Sequence, residues 1–555
     1  MICVVDVRTT GASLRPRMPP TRVAVPLMIA VLACGSAFAA TARAQLDPSS
    51  DTGAPDDDVA PDDAPTGTGG ETPPPPSPSS PDDDASSPGS ADAPQQPPAD
   101  AGPASSADAD DDADDDADAD ADADAPRQGF FFGSYGRVVV AGDLRGHTGA
   151  DADAVLHGPR IDESTYAELE LRREDNFDDI HTRVVATLAL AGPLFHFDGN
   201  FDAHLAVRNL FAEAENAITH GLSLWVGSRM VRGDDVYLLD FWPLDNLNMV
   251  GGGARYRILE VAEAAVTAGF ARPDEGFYHQ TVTETSAMSF LPLETELLDR
   301  PRFVLSARGT YWPLGRTERR GVKAVLYGES HQISSGVRRT DAGVLEALPS
   351  DSGYVLGGEL GAYDADKHWF LNLFLRYADG LAVYDPLGVP FPIGAVIDTS
   401  RASELTLALS GNFEHDFFGV QVGGSYRRFR DADPNAFEGG ERVEGVLAAR
   451  PYVWIGQRVG LAAELSYQAF ETSALRIDTG EQVAGHLWKL GVVPFYSPAG
   501  RGTYTRPHLR IIYNATFRDE GARAMYGALD RRSVQAVEHF FGLGVEWWFD
   551  STSYQ

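Results

Sequence analysis

A chain of 555 residues is longer than one soluble core needs, and a formal charge of −36 without any basic stripe excludes nucleic acid as a partner. Both cysteines, Cys3 and Cys34, fall before or inside an N-terminal export signal, so the exported remainder has no disulfide and no thiolate metal site. Much of the negative charge is local, since residues 46–128 hold 23 Asp and Glu71 against Arg127 alone.

In chain order, the first element is the export signal, residues 1–44. Arg15, Arg17 and Arg22 precede an apolar run from Val23 to Ala40, and Ala42-Arg43-Ala44 is a small-x-small exit. A start at Met18 would give a signal of ordinary length. The run is short and broken by Pro26, which argues against a membrane anchor. Residues 45–128 follow as an Asp/Ala/Pro-rich linker. They hold almost nothing apolar, and their like charges repel, so a disordered acidic spacer is expected. Dense Asp without turn-forming Gly is not a calcium loop.

From Gly129 to Phe549 the pattern changes to alternation. Thr165, Ala167, Leu169 and Leu171 share one face, and Tyr166, Glu168, Glu170 and Arg172 the other. Trp369–Tyr377 sets Leu371, Leu373 and Leu375 against Phe370, Asn372, Phe374 and Arg376. Pro507–Phe517 and the closing Phe541–Phe549 repeat the rule, as do 182–190, 203–211, 322–328, 405–409 and 459–467. Gly192-Pro193, Pro313-Leu314-Gly315 and Ser497-Pro498-Ala499-Gly500 punctuate the strands. One apolar and one charged face, strand after strand, predicts an all-β fold: a closed antiparallel transmembrane β-barrel around a wet lumen, because a bilayer forbids open sheet edges. A soluble sandwich shows similar alternation, but its strands do not carry charge so regularly on one face. Residues 550–555 form a short tail beyond the final aromatic.

No catalytic constellation is present: no His-Glu-x-x-His, no Gly-x-Ser-x-Gly and no phosphate loop. The thirteen histidines are scattered. Neither an enzyme, a metal site nor a cofactor is expected. Gly251-Gly252-Gly253 reads as a turn or bend. The inward face mixes rings (Tyr135, Tyr166, Phe370, Trp548) with charges (Arg137, Glu168, Arg208, Asp235, Asp240). Sugars offer C–H faces to rings and hydroxyls to charges, so such a lumen could hold a sugar weakly at many points. Alternation alone reads equally well as ordinary lumen polarity and interfacial rings.

Several segments resemble the maltoporin family of sugar-specific outer-membrane porins. They are Phe132-Gly133-Ser134-Tyr135-Gly136-Arg137, Ser164-Thr165-Tyr166-Ala167-Glu168-Leu169, Leu224-Trp225-Val226-Gly227-Ser228-Arg229 with Asp235 to Trp242, and Arg506-Pro507 through Trp548-Phe549. The resemblance implies eighteen strands, a homotrimer, and an outer-membrane pore with the linker in the periplasm. It also implies an aromatic track that guides maltodextrin-like sugars. Carried over, that track uses Tyr135, Tyr166, Trp242 (at the constriction), Phe370 and Trp548. Its polar partners are Arg137, Arg160, Glu168, Arg208, Arg232, Asp235 and Asp240. Gly233 stands where the family has its constriction arginine, and Arg232 is the adjacent substitute. No ring is evident for the track position near Arg450, and the second extracellular loop looks short. Sugar and membrane lipid are the expected partners. The alternatives are a less selective porin for small solutes or ions, and an envelope protein whose linker tethers the membrane.

Overall fold

The computed structural model describes residues 128–552, except 192–203, 287, 289–290, 317–318, 385–397, 434–439 and 477–478. The export signal, nearly all of the acidic linker, Gly192-Pro193 with the rest of the second extracellular loop, and the last three residues therefore lie outside the described residues.

The strands are β1 (Gly129–Gly142), β2 (Tyr166–Phe177), β3 (Ile180–Ala191), β4 (His204–Glu215), β5 (Leu222–Arg232), β6 (Asn246–Ile258), β7 (Ala262–Ala271), β8 (His279–Thr285), β9 (Pro292–Asp299), β10 (Arg302–Tyr311) and β11 (Arg320–Ile333). They continue with β12 (Gly336–Arg339), β13 (Leu345–Leu348), β14 (Asp351–Asp364), β15 (Trp369–Gly380), β16 (Ser403–His415), β17 (Phe418–Arg430), β18 (Glu441–Ile455), β19 (Val459–Leu475), β20 (Gln482–Tyr496), β21 (His508–Arg518) and β22 (Val537–Phe549). Among the described residues eighteen of them form one antiparallel sheet. Each pairs with the next, β7 and β11 skipping two small hairpins (β8–β9 and β12–β13) to pair with β10 and β14. β22 returns to β1 with Tyr135 opposite Trp548, which closes the ring. Closure satisfies every strand edge inside the wall, the condition for crossing lipid with strands.

The alternation read from the sequence is the alternation of the wall. In β2, Glu168, Glu170 and Arg172 are buried inward while Leu169 and Leu171 face out, exposed. In β15, Leu371, Leu373, Leu375 and Tyr377 face out, and Asn372 and Phe374 are buried inward. The candidate segments 182–190, 322–328, 405–409 and 459–467 fall inside β3, β11, β16 and β19, and 203–211 falls in β4 from His204 onward. The glycine run corrects the expectation of a turn. Gly251-Gly252-Gly253 lies in the middle of β6, where added Cβ atoms would meet the Ala268, Trp225 and Val266 carbonyls and the Trp225 ring. These glycines let strands approach and a neighbouring indole lie flat on the wall.

Connections alternate between tight and long. At one end β2 and β3 are joined by Asp178-Asp179 alone, with Asp178 in the left-handed region that a two-residue hairpin demands (φ 54°). The long connections leave from the other end, and among the described residues 143–165 and 233–245 fold inward. Residues 143–165 run along the inner wall: Lys489 of β20 reaches Asp153 and Asp162 at 2.7 Å each, Asn514 of β21 donates to Asp162, and Gln468 of β19 donates to Asp153. Residues 233–245 dock through Val236 and Leu238 against Gly423 of β17, whose missing side chain makes the room. The tight-turn end has one exception, residues 497–507, which also turn inward. Arg501 donates there to the Gly456 and Asp416 carbonyls, and Thr503 to Asn412. Past Phe549 the tail also tucks in, with Thr552 donating to Glu170 and Arg172 donating to the Asp550 carbonyl.

Candidate functional site

The strand register places Tyr135 and Trp548 on paired residues of β1 and β22, and Tyr166 on the neighbouring β2. Their rings follow one another: Tyr166 to Tyr135 at 6.1 Å between centroids, and Tyr135 to Trp548 at 6.5 Å in near-parallel planes. Trp548 continues to Tyr504 at 6.4 Å, and Tyr504 to Phe370 of β15 at 6.1 Å. Five rings thus form one chain through the lumen, four of them named from the sequence. The fifth, Tyr504, was missed. It comes from the inward turn 497–507, where no strand period marks a side chain as inward. Tyr452, the ring nearest Arg450 on β18, is instead buried against Phe495 and donates to Gln421.

Charged groups run beside the rings. Arg137 donates to the Tyr135 hydroxyl (3.2 Å) and to the Ser164 carbonyl, and pairs with Glu163. Arg160, on the first inward segment, donates to the Tyr135 hydroxyl (2.5 Å), pairs with Glu163 at 3.0 Å, and reaches Glu546 at 3.5 Å and Asp240 at 3.6 Å. The Tyr166 hydroxyl donates to Glu168 and accepts from Arg208 at 3.1 Å. Arg506 donates to Glu546 at 2.8 Å, and its guanidinium lies 4.0 Å from the centre of the Trp548 ring. Asp235 sits near Asp240 and Arg160; burial, with help from the Asp240 charge, pushes its carboxyl up to about 7.

Two sequence-named residues sit apart from this chain. Trp242 is buried beneath the Arg232 guanidinium, 3.7 Å from its ring centre, and Arg232 donates to Asn246. Its neighbour Phe241 stacks on His157 at 4.0 Å and lines a small cleft with Arg427, Glu444, Ser425 and Thr406. Gly233 is filled from elsewhere: a Cβ there would collide with the Arg308 guanidinium and the Asp245 carboxylate. Arg308, from β10, pairs with Asp245 at 2.5 Å and Asp234 at 3.3 Å, and Lys323 joins Asp234 to Glu359 at 2.7 Å each. The cation beside position 233 is therefore Arg308, a strand residue distant in sequence, and not the adjacent Arg232.

A passage lined by a ring chain with acids and guanidinia beside it can hold a polyhydroxylated solute and pass it along. Among the described residues Asp151, Asp153 and Asp162 are the one acidic group close enough to share a cation, and Lys489 already sits among them.

Comparison with known proteins gives one sequence-level match: the family model described as LamB porin aligns with residues 132–549. No curated protein matches the chain. Solved structures that the chain matches include OpdL of Pseudomonas aeruginosa, 12% identical, covering 76% of this chain and 98% of that one with a TM-score of 0.38. OprD from the same organism is 12% identical over 76% and 93%, with a TM-score of 0.37. OmpT of Vibrio cholerae is 11% identical over 76% and 99%, with a TM-score of 0.35.

Proposed function

The chain belongs to the LamB porin family, an outer-membrane channel and not an enzyme, and from that premise we propose that it carries sugars such as maltodextrins by facilitated diffusion. The observation that supports this reading is the unbroken chain of Tyr166, Tyr135, Trp548, Tyr504 and Phe370 with Arg208, Glu168, Arg506 and Glu546 beside it. A sugar stacks its apolar face on one ring while its hydroxyls exchange among the charges. The rings are about one sugar unit apart, so each step forward makes a contact as it breaks one, and no single site holds the solute too tightly to leave. In this proposal Arg137, Arg160, Asp235 and Asp240 are the polar groups of the narrow part. Trp242 and Arg232 support its wall. The functional unit is a homotrimer, as the family implies. In this proposal the acidic residues 45–128 belong to the periplasm, the side on which the tight turns of such barrels lie.

The test is single-channel current in planar bilayers with and without maltodextrins. Current should fall with rising maltodextrin and saturate. Current that ignores maltodextrin at every concentration would leave a porin for other small solutes or ions.

Asp235 gives a second expected outcome. Below pH 7 its carboxyl is mostly neutral, and above pH 7 it adds a negative charge to the lumen. The preference for K⁺ over Cl⁻ should therefore rise between about pH 6 and pH 8. Reversal potentials in a KCl gradient would show this, and Asp235→Asn should flatten the dependence.

A further inference from the structure

The wall has one junction that no connection spans. Every other pair of neighbouring wall strands is joined through the stretch of chain between them, whereas β22 meets β1 only after the whole ring has been traced. The ladder alone must hold that seam against the entropy of the open ring. β1 carries two glycines along it: Gly133 on the inward face with Tyr135, and Gly136 on the outward face. Glycine inside a strand weakens it and marks a place where other atoms come close. On the lumen side those atoms belong to the segment past Phe549. Asp550 turns there with a left-handed φ of 50°, and its carbonyl lies over Gly133, where an added Cβ would collide with it. Arg172 of β2 donates to the same carbonyl at 2.9 Å, and Thr552 donates to Glu170 through its amide (2.9 Å) and its hydroxyl (2.7 Å). Glu170 stands opposite Gly133 in the β1–β2 register, so the segment crosses β1 and is held on the strand beyond. On the outer face the Trp547 indole crosses in the same way. It lies on Gly136, where a Cβ would collide with its ring, and donates to Ser134 at 2.9 Å, which donates to the Glu168 carbonyl of β2 at 2.8 Å.

We propose that these two crossings form a clasp that keeps the seam of the barrel shut. Residues 550–552 inside and Trp547 outside each tie β22, across β1, to β2. Parting β22 from β1 then means giving up both crossings together with the ladder between them, so three strands resist as a unit where two would fray. Gly133 and Gly136 are the positions that let the clasp close, one on each face. The clasp does not depend on which solute the channel carries.

The test follows thermal unfolding of the barrel in detergent by heat-modifiable gel mobility. It compares wild type, a chain stopped after Phe549, Gly133→Ala, and the two changes together. Stopping after Phe549 should lower the midpoint by about 3–6 °C. Gly133→Ala keeps the segment but puts a methyl group in its path, and should lower the midpoint by a similar amount. In the stopped chain that methyl group no longer meets Asp550, so the same substitution should add nothing. Equal midpoints in all four chains, or a Gly133→Ala effect that is the same with and without residues 550–555, overturns the clasp. A cross-link then ties the loss to the seam. Val138→Cys and Val545→Cys stand opposite each other across it, and the chain's own cysteines, Cys3 and Cys34, lie before the barrel. With that disulfide formed, stopping after Phe549 should leave the midpoint unchanged. An undiminished drop in the cross-linked barrel means that the segment stabilises something other than the seam, and also overturns the clasp. Trp547→Phe, which keeps a ring but loses the bond to Ser134, should behave alike: a lower midpoint without the cross-link and none with it. Should the stopped chain not fold, Gly133→Ala with and without the cross-link decides.

Discussion

Replacing Lys489 with methionine is expected to unfasten the first inward segment and to cost the barrel about 3–5 kcal/mol, the usual penalty for removing one partner of a buried ionic cluster. The Lys489 ammonium has no exposure and lies 2.7 Å from Asp153 and from Asp162, 3.6 Å from Asp151 and 3.3 Å from the Pro159 carbonyl. Methionine fills most of the volume but leaves three carboxylates facing one another. Burial already holds the Asp162 carboxyl up at about 7 against the pull of Lys489. Without the ammonium it will rise further and take a proton. Its folded value then lies above the unfolded one, so the folded state binds more protons and gains stability as pH falls. The deficit should accordingly be largest at pH 8 and above and shrink toward about pH 5. Thermal unfolding in detergent, followed by gel mobility, measures the loss, and protease cleavage within residues 143–165 reports the freed segment. A variant as stable and as protected as wild type at pH 8 would mean that the aspartates do not depend on Lys489.

The strands were legible because lipid outside and water inside impose a period of two that survives any choice of residues. Leu169, Leu171, Leu371 and Leu373 could be placed outward, and Glu168 and Asn372 inward, from alternation alone. The ring chain was legible in part for the same reason: Tyr135, Tyr166, Phe370 and Trp548 sit on strands, where the period fixes direction. Tyr504 and Tyr237 sit on irregular segments, where direction depends on how the backbone turns, and no periodic signal reports it. Arg308 shows a third limit. Its guanidinium fills the space at Gly233 only because β10 stands three strands along the wall from β5, past β6 and β7, a placement invisible to local pattern. The sequence also misleads where glycine is concerned: a run of three suggests a turn, yet at 251–253 what matters is the absent side chain in a crowded strand.

Trp548→Ala should weaken maltodextrin block more than the loss of any terminal ring. Trp548 is the junction of the chain, with Tyr135, Tyr504 and Tyr237 all within 6.5 Å and the Arg506 guanidinium 4.0 Å from its ring. A sugar lying on one indole face covers roughly 60–80 Å² of apolar surface, worth about 1.5–2 kcal/mol. That converts to a rise of about 10- to 30-fold in the half-blocking concentration. Phe370→Ala, at the end of the chain, removes a ring with one neighbour, Tyr504, and should cost less. Conductance is the wrong readout for this comparison, because removing the large Trp548 ring, which lies 6.1 Å from Tyr237, also widens the lumen there. Current without sugar should therefore increase while sensitivity to sugar falls. That opposite movement separates a stacking platform from a mere obstruction: an obstruction, once removed, would raise current and leave the half-blocking concentration where it was.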